Sequence, residues 1–319
     1  MLKSSTQLKD LVRNLAKSTG IPNYILIRRY MMERFLERLS QTQYRDAFIL
    51  KGGMLISEMV GIQARATKDI DTTVAGLALT EESMDQIIRQ IISVDLGDQV
   101  TFNLAGISPI MDESEYEGLR VGLETCLDNM ITPLKIDIST GEAITPQAIT
   151  YDYGLMFEDR TIEIKAYPIE TVLAEKIETM ISRADTNTRM RDFYDMHILL
   201  KSRSGEIDID TLRSALDATA KQRGTADFLS GAESVLKVLE NTPRMADLWR
   251  NYQMKNSYAK DISWNAVMLS ARKLCLMSGL EVNKPSILKT RNVLNEESRR
   301  REEHHTDRDR SRTHYSEER

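Results

Sequence analysis

The chain has 319 residues, enough for two or three compact units, and its 41% hydrophobic and 29% charged residues are the balance of an ordinary globular protein. Its 43 basic against 48 acidic residues give a net charge of −5, which argues against a protein that holds nucleic acid through bulk positive charge. Any RNA or DNA is therefore expected at a local patch. No apolar run is long enough to span a bilayer, and the first residues form no secretory signal. Cys126 and Cys275 match neither a disulfide framework nor a zinc site, so we expect a cytoplasmic protein.

Residues 1–44 are predicted to form two helices, because apolar residues recur there at helical spacing. The first is expected to be capped by one of residues 4–6 and to end at Gly20, a favourable residue just beyond a helix. The second begins after Pro22 and continues to about Leu39. Its other face carries four arginines, at positions 28, 29, 34 and 38.

Residues 45–166 alternate between strand and helix patterns. Short apolar runs predict strands at 48–50, 69–74, 100–104, 119–123 and 134–138, and helices are predicted at 54–60 and after a cap at Thr80. From about Pro168 to Leu280 the pattern is helical, with helices expected at 171–181, 190–200, 209–218, 228–239 and 264–277. We therefore predict an α+β fold in which a mixed sheet flanked by helices is followed by a helical domain at 167–290.

The last segment, residues 291–319, is predicted to be a disordered tail. It holds eight arginines against eight acidic residues and almost no apolar side chains. Such a polyampholyte cannot bury enough apolar area to offset the entropy lost on ordering.

The stretch with the clearest chemical content runs from Lys51 to Asp71. Gly52 and Gly53 follow a predicted strand and precede a helix, which lets the backbone approach a polyphosphate closely. On the next strand Asp69 and Asp71 share one face, with Cα atoms roughly 7 Å apart. That spacing allows both carboxylates to converge on a pair of magnesium ions, the arrangement used for in-line phosphoryl transfer.

A third carboxylate is expected from a neighbouring strand. In Lys135-Ile136-Asp137-Ile138, the residues Lys135 and Asp137 share one strand face while the isoleucines point to the core. Asp137 is the candidate third metal ligand, although an exposed strand face with an incidental charge pair gives the same pattern.

These residues resemble the AbiEii/AbiGii-type nucleotidyltransferase toxins, a branch of the polymerase-β superfamily found in bacterial abortive-infection and toxin–antitoxin systems. The resemblance covers roughly residues 45–200, and Met54 departs from it where such proteins often carry a small hydroxyl residue. It is carried by Leu50-Lys51-Gly52-Gly53-Met54-Leu55, Arg65-x-Thr67-x-Asp69-Ile70-Asp71, Lys135-x-Asp137, Ala174-Glu175-Lys176-Ile177 and Arg191-Asp192-Phe193-Tyr194-Asp195.

The resemblance implies a polymerase-β-like catalytic domain at 45–166 that uses two Mg²⁺ ions and an NTP. Asp69, Asp71 and Asp137 would be the metal ligands, and Lys176 would hold the nucleotide's phosphates as a point charge. Further residues are implied in nucleotide binding: Lys51, Gly52, Gly53, Arg65, Thr67, Lys135, Arg191 and Asp195.

Taken alone, the helical motifs have simpler interpretations. Lys176 has the pattern of a surface lysine, and Arg191 with Asp195 has that of an ordinary i,i+4 salt bridge. The resemblance implies instead that this pair braces Lys176. His197 is expected to be a packed or solvated helix residue rather than a ligand.

Three functions remain open. The first is transfer of a nucleoside monophosphate to an RNA end, the tRNA 3′ end in particular, with a cognate antitoxin as partner. The second is modification of a protein hydroxyl, and the third is an inactive RNA- or partner-binding protein on the same scaffold. For RNA the sequence offers only a candidate phosphate-binding patch of arginines, at positions 28, 29, 34, 38, 183, 189 and 191.

Overall fold

The computed structural model describes residues 2–110 and 118–283, so the tail predicted at 291–319 lies outside the described residues. The described chain divides into two compact units. The first comprises the residues up to Val172 together with Asp217–Arg223. The second comprises Leu173–Leu216 and residues 224–283.

Two helices open the first unit, as predicted: α1 is Ser5–Thr19 and α2 is Asn23–Ser40. The Ser4 hydroxyl caps α1 by accepting the Gln7 N–H at 3.3 Å. Gly20 ends the helix with a φ of 73°, which only glycine adopts without strain. Both predicted ends of α1 are therefore confirmed.

The described part of the first unit contains one sheet of seven strands. Their bounds are β1 Phe48–Lys51, β2 Ile70–Val74, β3 Val100–Pro109, β4 Gly118–Leu127, β5 Met130–Thr140, β6 Ile149–Gly154 and β7 Thr161–Ala166. They lie in the order β3-β4-β5-β2-β1-β7-β6, with β2–β5 and β1–β7 parallel and the other pairs antiparallel. Two further helices accompany the sheet, α3 at Gly52–Val60 and α4 at Glu81–Ile92. The mixed sheet flanked by helices is thus confirmed.

Strand β5 shows how the sheet separates its core from its polar face. Leu134, Ile136 and Ile138 are buried, and helix α2 packs against this strand. The alternate residues, Lys135 and Asp137, therefore lie on the opposite face, since successive strand residues point to opposite sides.

Helix α2 is buried along most of its length, including all of its charged residues except Arg28. Arg29 pairs with Glu33 at 2.7 Å, and Arg38 pairs with Asp98 at 2.7 Å. Arg34 lies 2.8 Å from Glu37 and 3.1 Å from Glu158. A buried guanidinium has to be paired in this way because an isolated charge is too costly to remove from water. Three of the four α2 arginines in the predicted phosphate-binding patch therefore point into the protein, and that part of the prediction is wrong.

The described part of the second unit is helical, as predicted. The helices that follow the sheet are α5 Ile169–Arg183, α6 Met190–Arg203, α7 Ile209–Arg223, α8 Ala232–Asn241, α9 Pro243–Lys255 and α10 Trp264–Met277. Of α5, the second unit contains the part from Leu173 onward, and of α7 the part up to Leu216. Phe193 packs edge-on against Trp264 with ring centroids 5.2 Å apart, and Trp249 stacks with Tyr252. Such aromatic contacts bury a large apolar area for few residues. In the described residues, no helix has both the length and the apolarity that a bilayer crossing requires.

Candidate active site

A row of four charged residues crosses the polar face of the sheet. Arg120 on β4 is the register partner of Asp137 on β5, Asp137 is the partner of Asp71 on β2, and Asp71 is the partner of Lys51 on β1. Cross-strand partners point to the same face with Cβ atoms about 4.5–5.5 Å apart. The strands therefore set two carboxylates side by side between two cations.

Asp71 accepts a hydrogen bond from the backbone N–H of Gly53, at 3.2 Å, at the start of α3. Burial raises the pKa of Asp71 above its usual value; the charges of Asp137 and Asp69 add to the rise, while the Gly53 N–H and Lys51 oppose it. Asp71 thus lies close to two other carboxylates, those of Asp69 and Asp137.

Neighbouring side chains leave no room for a Cβ atom at either of the two glycines. Gly52 has a φ of 65°, and a Cβ atom there would stand 2.2 Å from Asp71 Oδ2. A Cβ at Gly53 would stand 2.6 Å from Thr67 Oγ1 and 3.2 Å from an Arg65 nitrogen. The side chains of Arg65 and Thr67 therefore pack directly against the glycine turn, although they lie more than ten residues further along the chain.

The other two candidate carboxylates differ in their surroundings. Asp69 is half-buried and lies just before β2, which begins at Ile70, one residue later than predicted. Asp137 is held by Arg120 through two hydrogen bonds, Nε to Oδ1 and Nη2 to Oδ2, each 2.8 Å long. Lys135, on the same strand face, is exposed.

In residues 2–110 and 118–283, no group of three or more His, Cys, Asp and Glu side chains is arranged to hold a metal. The donor set nevertheless suits a hard divalent cation, because carboxylate oxygens are the ligands that Mg²⁺ prefers. The charges of Asp69 and Asp137 act on Asp71, and a cation would relieve that crowding. The residues present therefore fit a divalent cation, which would share or compete for Asp137 with the guanidinium of Arg120.

Lys51 is held by a residue that the sequence analysis did not single out. Its ammonium donates to Glu142 in a short ion pair and to Ser139 Oγ at 2.8 Å. Glu142 also accepts from the hydroxyls of Ser139 and Thr73. Burial opposes ionisation of Glu142, but Lys51 and these hydroxyls outweigh it and lower its pKa. The sequence carries no local signal for this contact, since Lys51 and Glu142 are 91 residues apart.

In the second unit, Lys176 lies between two aspartates. Its ammonium is 2.6 Å from Asp192 Oδ1 and 3.0 Å from Asp195 Oδ2. Burial favours the neutral amine, yet the two carboxylates hold the pKa of Lys176 above its usual value. Asp195 is buried against Lys176, whereas Arg191 is exposed. The structure therefore shows the contact between Asp195 and Lys176 that was expected, without the expected pairing to Arg191.

His197 is a packed residue, as expected. It is buried, and its Nδ1 lies 2.8 Å from Ser270 Oγ. Burial lowers the pKa of His197 to about 4, with a smaller contribution from Lys201. It is therefore neutral at physiological pH.

Comparison with known proteins assigns the chain to a family. The sequence model described as nucleotidyl transferase AbiEii toxin, type IV TA system, matches residues 34–268. This range contains all of the candidate metal ligands and nucleotide-binding residues.

Solved structures show only distant likeness. JHP933 from Helicobacter pylori is 17% identical with a TM-score of 0.46, over 81% of this chain and 92% of that one. An antigenic nucleotidyltransferase-like protein from Paracoccidioides brasiliensis is 14% identical with a TM-score of 0.33, over 74% and 94%. No curated protein is significantly similar to the chain. The assignment therefore rests on the family match.

Proposed function

The chain belongs to the AbiEii family of nucleotidyl transferase toxins of type IV toxin–antitoxin systems, and on this premise we propose that it is a Mg²⁺-dependent enzyme that transfers a nucleoside monophosphate from an NTP to an RNA end. The tRNA 3′ end is the proposed acceptor. In this reaction the oxygen of the acceptor hydroxyl forms a bond to the α-phosphorus, and its proton passes to solvent water. The bond from that phosphorus to the bridging oxygen breaks, and pyrophosphate leaves.

Asp69, Asp71 and Asp137 are the proposed Mg²⁺ ligands, with two ions expected. Bound Mg²⁺ would neutralise the charge that develops on the phosphate oxygens. The chain's own contribution is placement: β2 and β5 fix Asp71 and Asp137 opposite each other, and the Gly53 N–H fixes the Asp71 carboxylate. Positioning of this kind supplies much of the rate enhancement in phosphoryl transfer.

The glycine turn is the proposed surface for the triphosphate. Gly52 and Gly53 place no side chain at the N-terminus of α3, where N–H groups and the helix dipole favour negative charge. Arg65 and Thr67 border the turn and are proposed to contact the nucleotide.

Three further residues are proposed to bind the nucleotide, on the basis of the resemblance together with their exposure or their ion pairs. Lys135 and Arg191 are exposed and available to an incoming anion. Lys176 is proposed to bind the phosphates, with Asp192 and Asp195 keeping it charged and fixed.

The observation that carries the proposal is the in-register pair of Asp71 and Asp137 beside the glycine turn. The test is incubation of the protein with each labelled NTP and Mg²⁺, together with either total tRNA or cell lysate. Label on tRNA is expected. Label on protein alone would assign a protein-modifying enzyme, and no label on any acceptor would favour an inactive RNA- or partner-binding protein.

A toxin of this kind is proposed to act in the cytoplasm, where NTPs and tRNA are found, and to serve in phage defence. Expression without its antitoxin should slow growth, and Asp71→Asn should relieve the effect. Equal toxicity of the two forms would mean that binding rather than catalysis does the harm.

A further inference from the structure

Arg120 holds both oxygens of Asp137, one of the carboxylates on which the proposed function depends. The guanidinium donates to both oxygens of Asp137 in a bidentate pair, the most directional contact that arginine makes with a carboxylate. A divalent cation would need at least one of these oxygens as a ligand. A metal held by Asp137 would therefore compete with the guanidinium for these oxygens.

The pair is nevertheless easy to open. Arg120 and Asp137 are 38% and 25% exposed, so water can replace each partner when the contact breaks. The contrast is Arg38 with Asp98, which are 2% and 1% exposed and would leave a buried charge unpaired. Exposed ion pairs contribute little to stability, and the fold therefore does not depend on keeping Arg120 and Asp137 together.

Strand register keeps the guanidinium next to the site in either state. Arg120 and Asp137 are cross-strand partners on β4 and β5, and Asp71 is the next residue in the same row. A released Arg120 side chain thus remains beside the carboxylates, because its backbone cannot leave the sheet.

We propose that Arg120 is a resident counter-ion of Asp137 that competes with a divalent cation for this carboxylate, so that Arg120 sets the metal affinity of the site. It keeps two adjacent carboxylates from repelling each other when no metal is bound, and it weakens metal binding by competition. This inference rests on the proposed function, since it requires Asp71 and Asp137 to be metal ligands.

The test is a titration of the full chain with Mn²⁺ in the absence of nucleotide, followed by electron paramagnetic resonance of the free ion. Arg120→Gln should bind Mn²⁺ about 3- to 10-fold more tightly than the wild type, because an exposed competing pair and a nearby positive charge are removed. Arg120→Lys keeps the charge but loses the bidentate fork, and it should give an intermediate affinity.

The matched control is Arg89→Gln. Arg89 makes a bidentate pair with Asp85 on helix α4, also exposed, and its removal changes the net charge by the same amount. This variant should bind Mn²⁺ as the wild type does. Circular dichroism should show the same helix content in all of the variants.

Two results would overturn the inference, and they differ in their meaning. If Arg120→Gln binds Mn²⁺ no more tightly than the wild type while Asp71→Asn loses binding, the metal site stands and Arg120 is not a competitor. If Asp71→Asn binds Mn²⁺ as the wild type does, the proposed metal site itself is wrong, and the inference falls with it.

Discussion

The backbone of Gly52 lies so close to Asp71 that a Cβ atom at position 52 would stand 2.2 Å from the Asp71 Oδ2 atom. The carboxylate is thus wedged against the glycine turn and also held there by the Gly53 N–H. This contact makes the position of a candidate catalytic group depend on a residue without a side chain.

Gly52→Ala should therefore abolish transfer. It adds a positive-φ strain of about 1–2 kcal/mol and also displaces Asp71. Gly20→Ala is the matched control: Gly20 has a similar φ, 73°, but a Cβ there meets nothing within 4 Å. The control should be destabilised by about the same amount, as measured by thermal unfolding, and should keep full activity. Equal activity of the two variants would contradict the role given to the turn.

Asp71→Asn should reduce NMP transfer by more than about 100-fold. Loss of a residue that only supports a metal ligand typically costs about 10- to 100-fold, and Asp71 is proposed as a ligand itself. The melting temperature of the variant should be equal or higher. A carboxyl whose pKa is raised by folding destabilises the folded state once pH exceeds its unfolded pKa, and the amide removes that penalty. Asp152→Asn, an exposed aspartate on β6, should leave both quantities unchanged. Near wild-type transfer by Asp71→Asn would refute the metal assignment.

Glu142→Gln should lower the free energy of unfolding at pH 7 by about 2 kcal/mol, because it removes the charged partner of Lys51. Folding lowers the pKa of Glu142, so this stabilisation is present above its unfolded pKa and is lost as pH falls through the lower folded value. Denaturation curves should therefore show a large difference from wild type at pH 7, and the difference should shrink as pH is lowered through the folded pKa of Glu142.

The double variant Glu142→Gln with Lys51→Met tests whether that loss comes from the pair. If it does, the double variant should lose less stability than the sum of the single variants. Additive losses would mean that the two side chains do not interact.

Lys176→Met should abolish transfer and also destabilise the second unit by about 3 kcal/mol, because it removes the cation that pairs with the buried Asp195. Adding Asp195→Asn should recover most of the stability and none of the activity. Lys237→Met removes an exposed lysine paired with Glu233 on α8 and should change stability by less than about 0.5 kcal/mol. Recovered activity in the double variant would show that Lys176 has only a structural role.

The elements that carry the candidate site were predictable because their signals are local. The strand before Gly52, the helix after it and the strand of Asp71 all follow from short apolar periodicity and glycine placement. Strands β6 and β7 were not predicted, although the alternation of Ile162, Ile164 and Ala166 with polar residues indicates β7. Helix α9 was also missed, despite a proline at its first position.

The partners of the site residues were not predictable in the same way. Arg120 meets Asp137 only because β4 and β5 form a hairpin, and Lys51 meets Glu142 across 91 residues of chain. The arginines of α2 were wrongly predicted to bind phosphate for a related reason. Arg34 and Arg38 are buried because they pair with Glu158 and Asp98, which lie far from them in the sequence. Side-chain pairing across a sheet depends on register, which sequence periodicity alone does not specify.

The hairpin between β4 and β5 turns tightly, with Leu127 and Met130 as the last paired residues and Asp128 at a φ of 53° between them. Strand side chains alternate, so a slip of one residue at this turn would present Ile136 or Ile138 next to Asp71 and send Asp137 toward the helices. Insertions and deletions of a single residue in this hairpin should therefore inactivate the enzyme while leaving every candidate catalytic residue in the sequence. An inventory of motif residues would count such a variant as intact.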